Sequence, residues 1–214
     1  MTAPAALKIP PADEDSSKRR QILDGARRMF MTLGFDAASM GEIAKAAGVS
    51  KGTLYVYFND KTALFEAIVE QIAQIHGCIG HDLDLNNHDV AGSLSAYGTA
   101  YMELLCRPEG GSAVRTIMAI AERMPDIGRR YYSTIIAGGI NRLAQYLAAQ
   151  SNAGLLDITD HELAAEQFLK TCQATLFLPF VLQAGPPPTK ERIAYVIDSG
   201  VRMFLAAYQV KTKA

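Results

Sequence analysis

The sequence predicts an all-α protein, and three observations support this fold class. Apolar residues recur every three or four positions over long segments, which is the spacing of one face of an α-helix. Capping-box patterns and glycines occur where these segments begin and end. No segment shows the sustained alternation of apolar and polar residues that is typical of a half-buried strand. The composition, 49% hydrophobic and 20% charged over 214 residues, indicates a globular chain.

The N-terminal end of the chain is expected to contribute little to the fold. Residues 1–15 are rich in proline and acidic residues, and we predict a disordered arm there. Helical periodicity begins near Ser17, with an apolar stripe that includes Ile22 and Phe30. Gly34 is expected to end this first helix, as glycine commonly does at helix C-termini.

Two short helices follow, separated by a glycine-centred turn. Ser39 and Glu42 have the spacing of a capping box, and Gly48 ends the helix that they begin. Ser50 can cap the next helix, which is only about two turns long. Residues 39–58 therefore have the pattern of a helix-turn-helix motif.

The rest of the chain is predicted to form longer helices. They are expected at about residues 60–80, 90–106, 112–124, 126–151, 160–183 and 189–208. Pro179 should kink the helix in which it lies, because proline cannot donate a backbone hydrogen bond. We place the boundary between a smaller domain, residues 16–76, and a larger domain, residues 77–214.

The distribution of charge along the chain suggests where a partner binds. The net charge is only −1, but residues 16–61 carry +4 and residues 62–214 carry −3. An anionic partner is therefore expected at the N-terminal third. The apolar stretches are too short to span a bilayer and the N-terminus lacks a signal-peptide core, so we expect a cytoplasmic protein.

Cysteine and histidine residues give no signal for a metal site or a cofactor. The three cysteines are odd in number and widely spaced, which is typical of free thiols in a reducing compartment. The histidines and the cysteine between the predicted domains match no standard zinc spacing. These residues are His76, Cys78, His81 and His88. We predict no metal and no cofactor.

The second helix of the motif has a side-chain layout that suits the major groove of DNA. At about 100° per residue, Leu54 and Phe58 project to one side, where they would pack inward. Gly52, Thr53 and Val56 project to the opposite side. On that side a small residue permits close approach, a hydroxyl can donate to a base or phosphate, and a methyl group can touch thymine.

The flanks of the same helix carry groups that can bind phosphate or guanine. Lys51 can donate to the O6 and N7 atoms of guanine. Tyr55 and Tyr57 lie on opposite flanks and can each reach one phosphate wall of the groove. Lys61 opens the next helix, where a cation opposes the helix dipole, and a bound phosphate would explain its presence. Half-buried tyrosines in an ordinary packing role are the alternative interpretation.

Residues 19–68 closely resemble the DNA-binding domain of the TetR family of bacterial transcriptional regulators. The resembling segment is RRQILDGARRMFMTLGFDAASMGEIAKAAGVSKGTLYVYFNDKTALFEAI. The resemblance implies a three-helix DNA-binding domain and adds Ser39 to the DNA-contacting positions. At position 41, some members carry a longer side chain that reads bases, and this chain has Gly41. The predicted DNA-binding residues are Ser39, Ser50, Lys51, Gly52, Thr53, Tyr55, Val56, Tyr57 and Lys61.

The larger domain resembles the C-terminal domain of one TetR subgroup, through RTIMAIAERMPDIGRRYY and LAAEQFL. In the family this domain binds small effectors, which implies a cavity. Methionine, aromatic and charged residues of these helices are candidates to line it, although ordinary core packing is the alternative for most of them. The candidates are Tyr97, Tyr101, Met102, Arg115, Met118, Glu122, Phe168 and Phe177.

The last two predicted helices carry more apolar surface than one face can bury within a protomer. The resemblance implies that they form a four-helix dimer interface, and a buried helix pair inside one protomer is the alternative. The residues predicted at the interface are Ile193, Val196, Ile197, Val201, Phe204, Leu205 and Tyr208. Two-fold symmetry would also give two short recognition helices a combined affinity for DNA.

The sequence thus predicts a homodimeric transcriptional regulator that binds double-stranded DNA and a small-molecule effector. We interpret it as a repressor that an effector releases from a palindromic operator. An activator or an effector-independent regulator of the same fold would share every motif. An enzyme that uses the C-terminal cavity is a remote alternative, since no nucleophile–base pair, metal signature or phosphate loop occurs there.

Overall fold

The computed structural model describes residues 12–77, 83–122 and 124–210. Within these ranges the protein is all-α, as predicted. The helices are α1 (Ala12–Ala37), α2 (Met40–Ala47), α3 (Lys51–Tyr57), α4 (Lys61–Gly77), α5 (Val90–Leu105), α6 (Pro108–Ile120), α7 (Pro125–Tyr131), a π-helical turn (Tyr132–Ile136), α8 (Ala137–Asn152), α9 (His161–Gln173), α10 (Phe177–Val181) and α11 (Lys190–Tyr208).

Neither β-strands nor membrane-spanning helices occur in these ranges. Within them, the pairing of Leu156 with Gln209 in an isolated antiparallel bridge is the sole β-type contact. None of the helices in the described parts of the chain is long and apolar enough to cross a bilayer.

The chain forms two compact units that divide between Glu70 and Gln71. The sequence placed this boundary six residues later, after residue 76. Helix α4 is continuous across both positions. The spacing of its apolar residues therefore does not reveal where within α4 one unit ends and the other begins.

The N-terminal unit is built around a small aromatic cluster. Phe30 and Phe35 are stacked with ring centroids 5.4 Å apart, and Phe65 meets each of them edge-on at 5.5 Å. Leu54 and Leu64, from α3 and α4, are fully buried beside the apolar face of α1 and α2. Four helices thus share one core, which fixes α3 at a defined position.

The core of the C-terminal unit lies among α5, α8, α9 and α11. Its largest fully enclosed side chains include Tyr146 and Phe168. Leu94 of α5 and Ile197 of α11 are also completely buried in it. The phenol of Tyr146 donates to the backbone oxygen of Asn87 at 2.9 Å, so the buried hydroxyl is satisfied.

The starts of α1 and α6 differ from the sequence prediction. Helix α1 begins at Ala12, because an acidic run such as residues 13–15 is favourable in a first helical turn. The remainder of the predicted arm, residues 1–11, lies outside the described residues. Helix α6 begins at Pro108 rather than at residue 112, because proline is well suited to the first helical position.

The long helix predicted over residues 160–183 is two helices. The chain breaks at residues 174–176, and Thr175 has a positive φ of 60°. Pro179 lacks the N–H that would bond to the carbonyl of residue 175. The break therefore falls one turn before the proline, whereas the sequence predicts a kink at the proline itself.

The predicted dimer-interface residues of α11 face the core of their own protomer. Ile193, Val196, Ile197, Val201 and Phe204 are all buried there. Leu205 and Tyr208 are half-buried and pack against the same core. This corrects the sequence prediction, because an apolar stripe at helical spacing does not reveal whether the protomer or a partner covers it. The exposed side of α11 carries Tyr195 and Met203 instead.

Candidate DNA-binding interface and ligand cavity

The turn between α2 and α3 is held by backbone and capping hydrogen bonds. The hydroxyl of Ser39 accepts from the N–H of Glu42 at 3.2 Å, and the Glu42 carboxylate accepts from the N–H of Ser39 at 3.0 Å. Gly48 has φ +66° and donates its N–H to carbonyls at the end of α2. A side chain would disfavour this left-handed conformation. Ser50 caps α3 by accepting from the N–H of Thr53 at 2.9 Å.

Helix α1 holds α2 at very close range. A Cβ added to Gly25 would lie 2.6–2.7 Å from backbone atoms of Ala47, so glycine is required for this approach. The Gln21 amide donates to the Ala47 oxygen, and the Arg28 guanidinium donates to the Ala46 oxygen, both at 2.6 Å. These contacts satisfy the carbonyls at the end of α2, and the sequence analysis did not identify either donor.

Helix α3 buries one face and exposes the other, as the projection predicted. Leu54 is fully buried and Phe58, directly after the helix, is 6% exposed. Tyr55 and Val56 are 50% and 60% exposed. Tyr57 is half-buried. An exposed valine and an exposed tyrosine on so short a helix leave an apolar and hydrogen-bonding surface open to a partner.

Five further residues predicted to contact DNA fall into two groups, the pair Lys51 and Gly52 and three residues with hydroxyl groups. Lys51 and Gly52 are exposed at the start of α3. Ser39, Ser50 and Thr53 also lie at this surface, but the Ser39 and Ser50 hydroxyls cap α2 and α3, and the Thr53 hydroxyl is hydrogen-bonded to that of Ser50. The Ser50 and Thr53 hydroxyls are 2.8 Å apart, and the Ser39 hydroxyl contacts the Glu42 carboxylate at 2.8 Å.

Lys61 has a structural role that the sequence analysis missed. Its ammonium donates to the backbone oxygens of Phe35, Asp36 and Ala38, at 2.8, 3.0 and 3.4 Å. It also lies 4.7 Å from the centre of the Phe35 ring. A cation at this position is explained by the carbonyls at the end of α1, without a phosphate.

The C-terminal unit contains a largely apolar cavity of about 460 Å³. Four of the eight predicted residues line it, namely Tyr97, Tyr101, Met118 and Phe177. The other four do not. Met102 and Phe168 are enclosed in the core. Arg115 donates to the Val181 oxygen at 3.1 Å, and Glu122 is exposed beyond the lining.

Four tyrosines are among the residues that line the cavity, namely Tyr97, Tyr101, Tyr131 and Tyr132. Tyr97 donates to the Gly139 oxygen at 2.9 Å, and Gln173 donates to the hydroxyl of Tyr101. Burial raises the pKa of Tyr131 to about 12 and also raises the pKa of Tyr101. Burial raises the pKa of Tyr97 too, and the neighbouring Arg142 guanidinium opposes that shift. These phenols are therefore neutral hydrogen-bonding groups near pH 7.

Six further polar or aromatic residues of the cavity wall are not predicted from the sequence. They are Tyr131, Tyr132, Arg142, Glu166, Lys170 and Gln173. The last three recur at helical spacing along α9, so a search for a polar stripe beside the apolar face of that helix could have found them.

The histidines and cysteines between the domains show no metal-binding arrangement where the structure describes them. The described part of the chain contains no group of three or more potential ligands that could hold an ion. His88 instead contacts the Gln150 amide oxygen through Nδ1 at 2.9 Å. Cys78, His81 and the side chain of His76 lie outside what the structure describes.

Comparison with known protein families identifies both units. A model of bacterial regulatory proteins of the tetR family matches residues 22–68. A model of the C-terminal domain of AefR-like transcriptional repressors matches residues 92–210, which is more than half of the chain. The chain belongs to the TetR family. Members of this family are DNA-binding transcriptional regulators of the helix-turn-helix type.

Solved TetR-family structures share the fold over nearly the whole chain. A regulator from Mesorhizobium loti is 29% identical, with a TM-score of 0.82, and the match covers 91% of this chain and 98% of that one. The flavonoid-responsive regulator FrrA is 32% identical, with a TM-score of 0.75, over 92% of this chain and 100% of that one.

Curated TetR-family relatives match mainly the DNA-binding unit. The repressor Rv1474c of Mycobacterium tuberculosis is 40% identical over 81 residues, which are 34% of this chain and 43% of that protein. The regulator AcrR of Shigella flexneri is 49% identical over 57 residues, 27% of this chain and 26% of AcrR. The chain thus spans less than half of the length of each of these relatives.

Proposed function

We propose that this protein is a homodimeric repressor that binds a palindromic operator and is released by a small aromatic effector. The observation that carries the proposal is the exposed face of α3, on which Val56 and Tyr55 are open to solvent while Leu54 is fully buried. Its partner would be chromosomal DNA, which places the protein in the cytoplasm of a bacterium.

In this proposal, α3 enters the major groove with its exposed face against the bases. Lys51 donates to guanine, Gly52 permits close approach of the helix, and Val56 contacts a thymine methyl group. Tyr55 and Tyr57 donate to phosphates on the two groove walls. The capping bonds of Ser50 and Thr53 keep the start of α3 rigid, so that little ordering remains to be done on binding.

Lys61 is assigned a positioning role. Its ammonium already contacts three carbonyl oxygens within 3.4 Å, which is the full number of its N–H donors. It holds the end of α1 against the start of α4, and α4 begins shortly after the helix-turn-helix motif.

The cavity supports an effector of aromatic character. Its volume of about 460 Å³ lies within the range of roughly 300–1,000 Å³ found for small-molecule sites. Tyr97, Tyr101, Tyr131 and Tyr132 offer flat aromatic surfaces and hydroxyl groups, and charged side chains at the wall come from Arg142, Glu166 and Lys170. FrrA, 32% identical, is named as flavonoid-responsive. We therefore propose a planar, hydroxylated aromatic molecule as the effector class.

The cavity wall includes a feature suited to a ligand response. The π-helical turn at Tyr132–Ile136 joins α7 to α8, and four of the cavity residues lie in it or next to it. Single π-helical turns inside helices occur frequently at functional sites. An effector that binds one conformation of this wall better than another would shift the equilibrium, and DNA affinity would fall by the same coupling free energy.

The proposed dimer uses the exposed sides of α9 and α11. Leu163, Tyr195 and Met203 are 51–65% exposed on these helices. Exposed apolar side chains of this size on neighbouring helices are suited to a two-fold interface.

The proposal is tested with the DNA upstream of the protein's own gene in a mobility-shift titration, with and without a panel of flavonoids. We expect specific binding that a flavonoid weakens at least fivefold. Ile136→Trp, which fills the cavity, should bind DNA but ignore the ligand, whereas Leu178→Trp, at an exposed position outside the cavity, should respond normally.

A reporter assay in a strain that lacks the gene separates repression from activation. Loss of a repressor raises expression of the target, whereas loss of an activator lowers it. Specific DNA binding that no aromatic ligand alters would contradict the effector part of the proposal alone.

A further inference from the structure

Gly41 leaves a space on α2 that the side chain of a residue from α3 occupies. Gly41 is in the first turn of α2, and a Cβ added to it would lie 2.7 Å from Cε of Lys51 and 3.1 Å from Nζ. Carbon atoms that are not bonded normally approach to about 3.5–4.0 Å. The side chain of Lys51 therefore reaches back from α3 and occupies the space that any other residue at position 41 would fill.

The end of the Lys51 side chain therefore lies beside α2 as well as α3. The Ser39 hydroxyl, which donates to the Glu42 carboxylate at 2.8 Å, lies 3.8 Å from the same Cβ position, so a hydroxyl group and a cation both lie beside Gly41. The Ser39 capping box with Glu42 holds this end of α2 in place. The two helices thus share one polar surface. Ser39 and Lys51 contribute exposed side chains to it, and Gly41 contributes only backbone atoms.

We propose that Gly41 is a specificity-determining residue that acts by positioning the Lys51 ammonium over α2. This inference rests on the proposed function, because it assigns a role within the same DNA interface. Lys51 reads one base pair of each half-site from the location that Gly41 leaves free. A larger residue at position 41 moves the ammonium and changes the base preference at that pair.

The physical cost of the glycine supports a functional reason for it. Glycine inside a helix is less favourable than alanine because it loses more backbone freedom on folding. Gly41 has an ordinary helical backbone and does not need a positive φ. Alanine would therefore be expected at this position if helix stability alone mattered, and only the Lys51 side chain would be displaced by it.

The test combines Gly41→Ala, Lys51→Ala and the double variant. The clash in Gly41→Ala is with the end of a flexible side chain, so the variant should fold with a Tm equal to or above that of the wild type. Each protein is used to select DNA from a random library, and the affinity for single-base-pair variants of the wild-type site is then measured by fluorescence anisotropy.

We expect Gly41→Ala to lose roughly 5- to 150-fold of the preference at one base pair of each half-site, the range of one well-placed base contact. Lys51→Ala should lose preference at the same pair. In the Lys51→Ala background, Gly41→Ala should have no further effect on preference, because the two residues act as one unit.

Two controls separate this effect from general ones. Gly138→Ala makes the same chemical change in a helix of the other unit, where the added Cβ would meet its nearest atom at 3.7 Å, and it should leave base preference unchanged. Lys45→Ala removes an exposed cation from α2 and should weaken binding evenly across DNA sequences.

The placement itself is checked without DNA. A nuclear Overhauser contact between the Gly41 Hα and Lys51 Hε protons is expected in the free protein, and its absence overturns the proposal. Wild-type base preference in Gly41→Ala, or an equal loss in the Lys51→Ala background, also overturns it. If the wild-type protein selects no DNA motif, the proposed function fails as a whole, which is a different result.

Discussion

At the scale of single residues, neighbouring side chains on α3 carry separate tasks. Leu54 is fully buried in the core of the N-terminal unit, while Val56, two positions later, is 60% exposed. The two residues have similar chemistry, so their different environments allow folding and recognition to be measured apart.

Leu54→Ala and Val56→Ala form a matched pair for that measurement. Leu54→Ala should lower the free energy of unfolding by about 2–5 kcal/mol, because it leaves a cavity in the core. Val56→Ala should change it by less than about 0.5 kcal/mol yet weaken operator binding. Urea denaturation and anisotropy on the two variants check this. A large stability loss in Val56→Ala would mean that the exposed face of α3 is covered.

Cys172 gives a residue-scale prediction for pH. Burial raises the pKa of its thiol from an ordinary value of 9.0 to about 12. The folded protein therefore holds a proton between pH 9 and 12 that the unfolded chain releases. Stability should be unaffected below pH 9 and should fall above it, by up to about 1.4 kcal/mol per pH unit.

The measurement is urea denaturation at pH 8 and pH 10 of the wild type and of Cys172→Ala. The wild type should lose more stability between the two pH values than the variant, which has no thiol to ionise. Equal losses in both proteins would show that Cys172 does not account for the pH dependence.

At the scale of elements, the position of the recognition helix depends on contacts made by other helices. Gln21 and Arg28 of α1 bind the end of α2, and Lys61 of α4 binds the end of α1. Short helices have little stability of their own. The helix-turn-helix motif is therefore held by these tertiary contacts.

Lys61→Ala should destabilise the protein in the absence of DNA. Three carbonyl oxygens at the end of α1 lose their donor, with an expected cost of about 1–3 kcal/mol. Arg20→Ala, a change at an exposed cation of α1, should alter stability by less than about 0.5 kcal/mol. Thermal unfolding of both variants without DNA makes the comparison. If Lys61→Ala weakened DNA binding without changing stability, Lys61 would be a phosphate contact and not a positioning residue.

At the scale of the whole molecule, the inner and outer sides of α11 have different roles. Phe204 packs edge-on against Phe168 at 5.5 Å in the protomer core, whereas Met203 is 62% exposed. A charge introduced at position 204 should therefore affect folding, whereas a charge introduced at position 203 should affect dimerisation.

Met203→Asp should yield folded monomers, and Phe204→Asp should unfold the C-terminal unit, because an unpaired charge is costly to bury. Light scattering reports the molar mass, and circular dichroism reports the helical content. A folded dimer in Met203→Asp would place the interface away from the exposed side of α11.

Much of the architecture could be predicted from local patterns. The turn at Gly48, the capping box of α2 and the two faces of α3 depend on residues within a few positions of one another, so the sequence contained the information needed. Only half of the residues predicted for the cavity line it. Tyr97 and Tyr101 line it, but Met102 of the same helix faces the core, since a cavity is formed by helices distant in sequence.

The sequence by itself determined the family, the helix-turn-helix motif and the inward face of α3, because these follow from short-range spacing and residue type. Only the tertiary structure decided which other segment of the chain packs against each of these surfaces. It assigned the apolar stripe of α11 to the protomer, Lys61 to the carbonyls of α1, and the space at Gly41 to Lys51. Such assignments depend on distances between segments far apart in the chain, and periodicity along one helix does not contain them.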